Sequence, residues 1–156
     1  MSLHIVSKNN INQNDLTNFI NTIYMNFEHL KYFPSLKHTK EEIESTLKSK
    51  NSQIYLILIN NKIGAYLIGD ILTLDDGRKV LFVTYLFTSK LFRKRGYGTK
   101  LMEIAENKSK MFNLDGVMLM CDTENKQVYN FYLTRGYMSD LILRNYSKFE
   151  VLIKVT

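Results

Sequence analysis

The stretch "FRKRGYGTK", residues 92–100, places four basic residues and two glycines within nine positions, between a strand-like and a helix-like segment. Gly96 and Gly98 permit backbone conformations and close approaches that a Cβ atom would block. The amide groups at the start of the following helix carry the positive end of its dipole, which attracts anions. The stretch therefore suits a phosphate-binding loop, with a solvated turn and a nucleic-acid patch as the alternatives.

Two common phosphate-binding motifs do not match this stretch. A Walker A loop requires a glycine, four residues and then Gly-Lys-Ser/Thr, whereas the order here is "GYGTK" without the earlier glycine. A Rossmann fingerprint requires a third glycine where Leu101 stands, and it follows a strand that opens a βαβ unit. The strand before residue 92 belongs instead to a run of three strands joined by short turns.

Size and composition predict one globular domain over residues 1–156, since 45% of the residues are hydrophobic and 23% are charged. The net charge of +6 is a weak indication of anionic partners, because the whole chain is rich in lysine. The longest apolar run, residues 54–59, is too short to span a membrane, and the N-terminus lacks a signal-peptide core. We therefore expect a cytoplasmic protein without a membrane partner.

The single cysteine, Cys121, excludes an internal disulfide and suits a reducing compartment. It lies in the apolar run "GVMLMCD", which is typical of a buried strand. Neither neighbour, Met120 nor Asp122, would lower the pKa of the thiol. We expect a buried and unreactive thiol.

Hydrophobic spacing predicts the element order β-α-α-β-β-β-α-β-α-β-β, beginning with a strand at residues 3–6. The first helix is expected to begin at a cap formed by Asn14 or Asp15, and the second at the capping box Thr39 to Glu42. Residues 28–38, which contain the only proline, are expected to form a loop between them. The remaining predictions are strands at 52–59, 62–74, 79–88 and 116–121, helices at 15–27, 98–112 and 125–135, and a closing hairpin of 140–144 and 149–155.

This order predicts a mixed α+β domain. Three strands with short turns form an antiparallel meander, and the following β-α-β unit adds one parallel pair. The central sheet is thus mixed and mostly antiparallel, with helices on both faces. The helix at 98–112 is expected to bury the face that carries Leu101, Met102, Ala105, Met111 and Phe112.

The spacing from Arg93 to Gly98 matches Arg/Gln-x-x-Gly-x-Gly/Ala, and with it the chain resembles the GCN5-related N-acetyltransferase (GNAT) superfamily. A second block, "NKQVYNFYLTRGY" at residues 125–137, is similar to that superfamily's Asn-x-x-Ala-x-x-Phe-Tyr-x-x-x-Gly-Phe block. Val128 stands in the Ala position, on what we expect to be a buried helix face, and Tyr137 stands in the Phe position. Lys90 stands where the family often has proline. The resemblance implies the three-layer GNAT-type fold.

The resemblance also implies acetyl-CoA as cosubstrate, with no metal. In the family, loop amides bind the pyrophosphate and the pantetheine arm runs beside the fourth strand, one of whose amides faces the thioester oxygen. Asn125 is expected to cap its helix near the pantetheine. The cofactor-binding residues implied in this way are Leu86, Phe87, Thr88, Arg93, Lys94, Arg95, Gly96, Tyr97, Gly98, Thr99 and Asn125.

Tyr132 is the candidate general acid. Val128, Phe131, Tyr132 and Arg135 recur at helical spacing, which places Tyr132 near the inward face and leaves Tyr129 exposed. A phenol can donate a proton to a departing thiolate. Spacing alone favours a tyrosine that only packs in the core, whereas the resemblance to the family favours the catalytic role.

The sequence does not identify the base that takes the ammonium proton. Asp70, Asp122 and Glu124 are each more typical of surface carboxylates. The three histidines, His4, His29 and His38, lack metal-ligand spacing. His29 and His38 lie in the first interhelical loop, which in the family shapes the acceptor pocket. Phe27, Tyr32 and Phe33 are further candidates for lining that pocket.

These observations together predict an acetyl-CoA-dependent N-acetyltransferase that moves the acetyl group directly from the thioester to an amine. The acceptor is a small-molecule amine or a protein amine. A non-catalytic acyl-CoA sensor and a basic nucleic-acid-binding module are the rivals. Phe92 and Tyr97 could stack on bases, but no nucleic-acid recognition motif accompanies them. Nucleic acid is therefore not an expected partner, and homodimer formation is left open.

Overall fold

The computed structural model describes residues 3–8, 11–26, 38–143 and 149–156. Its element order is the one predicted from the sequence. None of the helices in these ranges is long and apolar enough to cross a membrane. The elements are β1 (Leu3–Ser7), α1 (Gln13–Asn26), α2 (Lys40–Lys48), β2 (Ser52–Ile59), β3 (Lys62–Thr73), β4 (Lys79–Thr88), a 3₁₀ turn (Lys90–Phe92), α3 (Tyr97–Met111), β5 (Gly116–Asp122), α4 (Lys126–Thr134), β6 (Met138–Ser139) and β7 (Phe149–Val155).

The seven strands form one sheet in the order β1-β2-β3-β4-β5-β7-β6. β4 and β5 pair in parallel, and all the other neighbouring strands pair antiparallel. The parallel pair arises because α3 carries the chain back from the end of β4 to the start of β5, as a crossover connection requires. The mixed, mostly antiparallel sheet is therefore confirmed.

Each face of the sheet buries a separate core. On the face that we call the α3 face, Leu67, Leu81 and Val117 pack with Leu101 of α3 and Tyr132 of α4. On the opposite face, called the α1 face, residues of β2, β3 and β4 pack against α1 and α2; they include Ile54, Ile68 and Tyr85 on the sheet and Phe19, Ile23, Ile43 and Leu47 on the helices. Helices on both faces were predicted, and this prediction is confirmed.

A β-bulge in β4 changes which face its side chains point to. Ile68 pairs with Tyr85 and Gly69 pairs with Val83, so Thr84 has no partner on β3. Before the bulge Val83 belongs to the core of the α3 face, and directly after it Tyr85 belongs to the core of the α1 face. A Cβ atom at Gly69 would lie 2.7 Å from the Phe82 carbonyl oxygen, so a glycine is needed for this close approach.

β4 and β5 separate at this bulge. Their parallel pairing runs from Val80–Gly116 to Val83–Leu119 and then stops. β4 nevertheless continues to Thr88, and β5 continues to Asp122. The two neighbouring strands thus open into a gap bounded by residues 84–88 and 120–122, which we call the β4–β5 cleft.

Several boundaries and exposures differ from those predicted. α1 begins two residues early, because Asn12 rather than Asn14 or Asp15 caps it: the Asn12 Oδ1 accepts the Asp15 amide at 2.8 Å. Met111 and Phe112 are exposed, since the end of α3 extends past the core that Leu101, Met102 and Ala105 fill. The capping box of Thr39 and Glu42 is confirmed. Residues 28–37 of the expected loop lie outside the described residues.

The predicted strand at 140–144 is wrong, since its place beside β7 is taken by the two residues of β6. Asp140 turns the chain away from the sheet instead. Its carboxylate accepts from both terminal nitrogens of Arg78, at 2.6 and 3.0 Å, and from the Leu143 amide at 2.8 Å. The apolar run "LIL" that suggested a strand is exposed at residues 141–143.

We expect the Asp140–Arg78 pair to stabilise the fold in a pH-dependent way. Arg78 lowers the pKa of Asp140 below its unfolded value of about 3.9. The stabilisation is therefore complete above that value and is lost as the pH falls through the folded-state pKa. Asp140→Asn should lower the free energy of unfolding by about 1–2 kcal/mol at pH 7, because Arg78 is partly exposed and water screens the pair.

Urea titrations of parent and Asp140→Asn from pH 7 to pH 2.5 check this. The gap between the two proteins should close on the acid side. Asp76→Asn is the matched control, since the Asp76 carboxylate binds the same guanidinium but its side chain is 21% exposed against 4% for Asp140, and its effect should be smaller. A gap of constant size down to pH 2.5 contradicts the charge-based explanation.

Candidate active site

The glycine-rich stretch joins the end of β4 to the start of α3. Lys90 begins the 3₁₀ turn, so the residue in the family's proline position still bends the strand exit. Gly96 caps α3 in the left-handed conformation, with φ of 81°, and Lys94 is also left-handed, with φ of 63°. The Gly96 backbone therefore needs glycine, since other residues rarely adopt that region.

The start of α3 presents amides that lack an acceptor. The first intrahelical hydrogen bond runs from the Lys100 amide to the Gly96 carbonyl at 2.9 Å. Within the described ranges, no group accepts from the three preceding amides, those of Tyr97, Gly98 and Thr99, and Gly96 has no side chain to cap them. Such amides, at the positive end of a helix dipole, fit a phosphate or pyrophosphate group.

Gly98 lies where the loop, β4 and α4 meet. A Cβ atom built on it would lie 3.6 Å from Phe131 Cζ of α4 and 3.9 Å from Thr88 Oγ1 of β4. Both distances are ordinary contacts, so packing does not require glycine here, and Gly98 is not among the residues with positive φ. Glycine here instead keeps side-chain atoms away from the free amides, as close approach of a phosphate requires.

The basic side chains of the stretch differ in their surroundings. Arg93 folds back on β4: its Nε donates to the Thr88 carbonyl at 3.1 Å, and its guanidinium lies 6.0 Å from the Phe87 ring centre. Arg95 lies 5.6 Å from the Phe92 ring centre. Arg93, Lys94 and Arg95 are all exposed. They surround the amides with positive charge, while the amides supply the directed donors.

The β4–β5 cleft has one open backbone edge along β4. Leu86, Phe87 and Thr88 are half-buried and pair with β3 on one side only. The unpaired edge of a strand can bind an extended ligand through alternate amide and carbonyl groups. At the far side of the cleft the Asn125 side chain caps α4 by accepting the Val128 amide at 3.4 Å, so its predicted capping role is confirmed.

Tyr132 lies on the α3 face beside the separated end of β5. It is 7% exposed, and its ring contacts Phe131 and Tyr137 edge-on, with centres 5.2 and 5.7 Å apart. Burial raises the pKa of Tyr132, and the neighbouring Cys121 thiol contributes to the same shift. The hydroxyl thus keeps its proton at neutral pH, as a general acid must. No hydrogen bond joins it to another described residue.

Cys121 is a buried strand thiol, as its apolar neighbours predicted. Burial raises the pKa of this thiol to about 11, with a further contribution from Asp122 and Glu150. A protonated, buried thiol is a poor nucleophile. Cys121 therefore forms part of the packing behind Tyr132.

Two predictions for α4 are wrong. Val128 is 40% exposed, because the first turn of the helix extends beyond the core to which its later turns contribute. Helical spacing predicts which residues share a face but not how deeply the end of a helix is covered. Tyr129 is partly buried, and its hydroxyl donates to Glu150 Oε2 at 2.7 Å.

The three carboxylates considered as bases have separate surroundings. Asp70 lies within β3 rather than at its end, and its Oδ2 accepts from the Ser49 hydroxyl at 3.1 Å. Asp122 ends β5, and its Oδ1 accepts the Glu124 amide at 3.0 Å. Glu124 is exposed. None of these contacts identifies one of the three as the base.

His38 forms a contact that sequence reasoning missed. Its Nδ1 lies 2.7 Å from the hydroxyl of Tyr85, the first β4 residue after the bulge, and the rings meet edge-on. His29, Phe27, Tyr32 and Phe33 lie outside the described residues, and His4 is exposed on β1. In the described ranges no three His, Cys, Asp or Glu side chains form a group that could hold a metal ion.

The comparison with protein-family models matches residues 18–137 to the acetyltransferase (GNAT) family. The chain belongs to the GNAT acetyltransferase family. The resemblance predicted from residues 93–98 and 125–137 is thereby confirmed, and membership makes the chain an acetyltransferase. A comparison with curated proteins finds no match.

Several solved structures share the fold. Arabidopsis thaliana NAA60 in complex with acetyl-CoA is 14% identical, with 99% of this chain and 98% of that one covered and a TM-score of 0.73. A GNAT acetyltransferase from Streptococcus pneumoniae is 19% identical, with 99% and 100% covered and a TM-score of 0.70. The aminoglycoside acetyltransferase meta-AAC0020, from an uncultured soil metagenomic sample and in complex with sisomicin, is 17% identical, with 93% and 95% covered and a TM-score of 0.69.

A buried ionic cluster holds α4 of this GNAT acetyltransferase against α3 and β7. Glu106 of α3 is buried, and its carboxylate lies 2.8 Å from Lys154 Nζ, 3.4 Å from an Arg135 terminal nitrogen and 3.3 Å from the Tyr137 hydroxyl. Arg135 and Tyr137 directly follow the helix that carries Tyr132. The cluster thus fixes the C-terminal end of α4 relative to the sheet.

We expect Glu106→Gln to lower the free energy of unfolding by about 1–3 kcal/mol, since it keeps the shape of the side chain but leaves two cations without their carboxylate. Glu103→Gln is the matched control, because Glu103 is exposed on the same helix. Denaturant unfolding of both variants gives the comparison. Equal stability of the two variants would show that the buried cluster contributes no more than a surface charge.

Proposed function

We propose that residues 1–156 form one catalytic domain, which transfers the acetyl group of acetyl-CoA directly to an amine. The observation that carries this proposal is the set of three free amides at the start of α3, which adjoins the end of β4 at Gly98. A diphosphate placed there leaves the rest of an extended ligand directed along the free edge of β4. This is the shape and polarity of coenzyme A.

The binding residues follow from this placement. The pyrophosphate is bound by the amides of residues 94–99, with Arg93, Lys94 and Arg95 supplying charge around it. The pantetheine arm binds along the backbone of Leu86, Phe87 and Thr88, with Asn125 across the cleft. Because Nε of Arg93 already donates a hydrogen bond to the Thr88 carbonyl, we propose that Arg93 acts chiefly by stabilising the end of β4.

The reaction then needs one donor for the oxyanion and one for the leaving group. As the amine nitrogen attacks the carbonyl carbon, a β4 amide at the cleft stabilises the oxygen that becomes negative. The C–S bond breaks, and the thiolate takes the proton of the Tyr132 hydroxyl. Burial favours this step, since the Tyr132 phenol stays protonated until a thiolate forms beside it.

The acceptor that we propose is an amine of a small molecule or of a protein. Among proteins of this fold, the aminoglycoside acetyltransferase meta-AAC0020 binds sisomicin, and NAA60 binds a bisubstrate analogue. The net charge of +6 disfavours a highly cationic acceptor, which would be repelled on approach. We place the reaction in the cytoplasm, where the lone Cys121 stays reduced.

A turnover screen with acetyl-CoA and a broad panel of amines tests the proposal, with release of free thiol as the signal. Thermal unfolding with and without ligand accompanies it. Acetyl-CoA and coenzyme A should both raise the melting temperature, because they bind only the folded chain. Absence of a shift at millimolar ligand would refute cofactor binding. A clear shift without turnover of any amine would favour the acyl-CoA sensor.

We expect Gly98→Val to weaken acetyl-CoA binding far more than Lys100→Ala. The valine Cβ makes only ordinary contacts, but the branched side chain adds bulk beside the free amides, whereas Lys100 supplies only solvent-screened charge. Calorimetric titration of both variants measures the difference, which should exceed about tenfold in Kd, or about 1.4 kcal/mol. A larger loss in Lys100→Ala would favour a basic patch over a phosphate cradle.

We expect Tyr132→Phe to lower the turnover number by about 10²–10⁴-fold, the usual cost of removing a general acid. Stability and acetyl-CoA affinity should change little, because the ring that packs against Phe131 and Tyr137 is retained. Steady-state thiol release with an amine from the screen measures turnover, and calorimetry measures affinity. Turnover equal to that of the parent would reduce Tyr132 to a packing residue.

A further inference from the structure

The α1 face of the cleft carries a pair of side chains that the proposed reaction has not yet used. Tyr85 lies directly after the β4 bulge, at the point where β4 and β5 separate, and it is 8% exposed. Its hydroxyl lies 2.7 Å from Nδ1 of His38, which stands two residues before α2 and is half-buried. A buried phenol at the cleft is thus linked to an imidazole that reaches solvent.

Tyr85 and Tyr132 lie on opposite faces of the sheet at the same cleft. Tyr132 belongs to the core of the α3 face, and Tyr85 belongs to the core of the α1 face. An acyl transfer moves two protons at two different atoms, one to the departing sulphur and one from the attacking nitrogen. Since the first is assigned to the α3 face, the α1 face is where a second proton-transfer group would serve the amine.

We propose that Tyr85 and His38 form a proton relay that deprotonates the acceptor amine, which therefore binds on the α1 face of the cleft. This inference rests on the proposed acetyl transfer and adds the base that it lacks. The Tyr85 oxygen takes a proton from the ammonium while its own proton passes to His38 Nδ1, and the resulting imidazolium releases that proton to solvent.

The protons of the whole reaction then balance. The ammonium loses one proton through the relay, which frees the nitrogen lone pair for attack on the carbonyl carbon. The C–N bond forms and the C–S bond breaks, with the Tyr132 proton passing to sulphur. The second proton that leaves nitrogen returns through solvent to the Tyr132 oxygen, so one proton is released per turnover.

The surroundings of the pair explain why both residues are needed. Burial raises the pKa of Tyr85, and the charges of Glu42 on α2 and Tyr66 on β3 act in the same direction. An isolated phenol there would not ionise, so it can accept a proton only while it passes its own proton on. His38 can take that proton when its Nδ1 is unprotonated. Glu42, Tyr66 and Tyr85 are the titratable groups that we identify around this relay, and Glu42 also favours the approach of a cation.

The test compares Tyr85→Phe, His38→Gln and the double variant by thiol release across pH, with an amine from the screen. Each single change should lower kcat/KM for the amine by about 10²-fold or more at pH 7. The double variant should be no slower than the slower single variant, because both changes break the same relay.

Three controls separate the relay from a structural role. Tyr55→Phe removes another buried tyrosine hydroxyl, one bonded to Gln53 at 2.8 Å, and should keep the parent rate. The acetyl-CoA shift in melting temperature should be equal in all variants. In NMR spectra of the imidazole, the chemical shift of His38 Nδ1 should change in Tyr85→Phe and stay the same in Tyr55→Phe. This measurement does not depend on turnover.

The outcomes are distinct. Parent-like kcat/KM in either single variant, or an unmoved His38 resonance in Tyr85→Phe, overturns the relay while leaving acetyl transfer intact. Multiplied rather than shared losses in the double variant also overturn it, since they mean separate roles. Binding of acetyl-CoA without acetylation of any amine by the parent refutes the proposed transfer itself, and the relay with it.

Discussion

The end of hydrogen bonding between β4 and β5 after Val83 and Leu119 is the constraint on which the rest of the site depends. A parallel pair that continued to Thr88 would satisfy its own backbone groups and leave no edge for a ligand. Because the strands separate, the β4 backbone is held on one side by β3 and open on the other. The sheet can therefore bind an extended molecule without losing any of its own pairing.

The start of α3 lies at the exit of the same strand, which is why the free amides of α3 and the open edge of β4 adjoin. Ser89 donates to the Gly64 carbonyl at 2.8 Å, and Arg93 donates to the Thr88 carbonyl, so both sides of the strand exit are tied to the sheet. Gly96 then turns the chain into the helix. The two glycines thus differ in what they contribute: Gly96 adopts a left-handed backbone conformation, and Gly98 keeps side-chain atoms away from the amides around it.

Sequence reasoning predicted the element order because each element has local signals. The capping box at Thr39 and the cap at Asn125 lie next to the helices that they delimit. The prediction failed where a tertiary contact decides the local structure. Asp140 binds Arg78, 62 positions earlier, and this contact turns the chain away from the sheet at residues that were predicted to form a strand. The exposed Val128 is a similar case, since burial depends on what covers the end of a helix.

The sequence predicted more of the candidate site on the α3 face of the sheet than on the α1 face. The glycine motif and Tyr132 are visible because they belong to motifs with fixed spacing. The pairing of Tyr85 with His38 is not visible in the sequence, since the two residues are 47 positions apart and the contact depends on the bulge at Thr84.

In an unbroken strand Val83 and Tyr85 would point to the same face, because side chains alternate with a period of two. One extra residue in β4 reverses that alternation. It places a tyrosine on the α1 face at the very position where the strands separate. The bulge thus accompanies the opening of the cleft and places the Tyr85 side chain on the face opposite to that of Tyr132. A single residue deleted at Thr84 would keep the composition of the site and lose its two-sided arrangement.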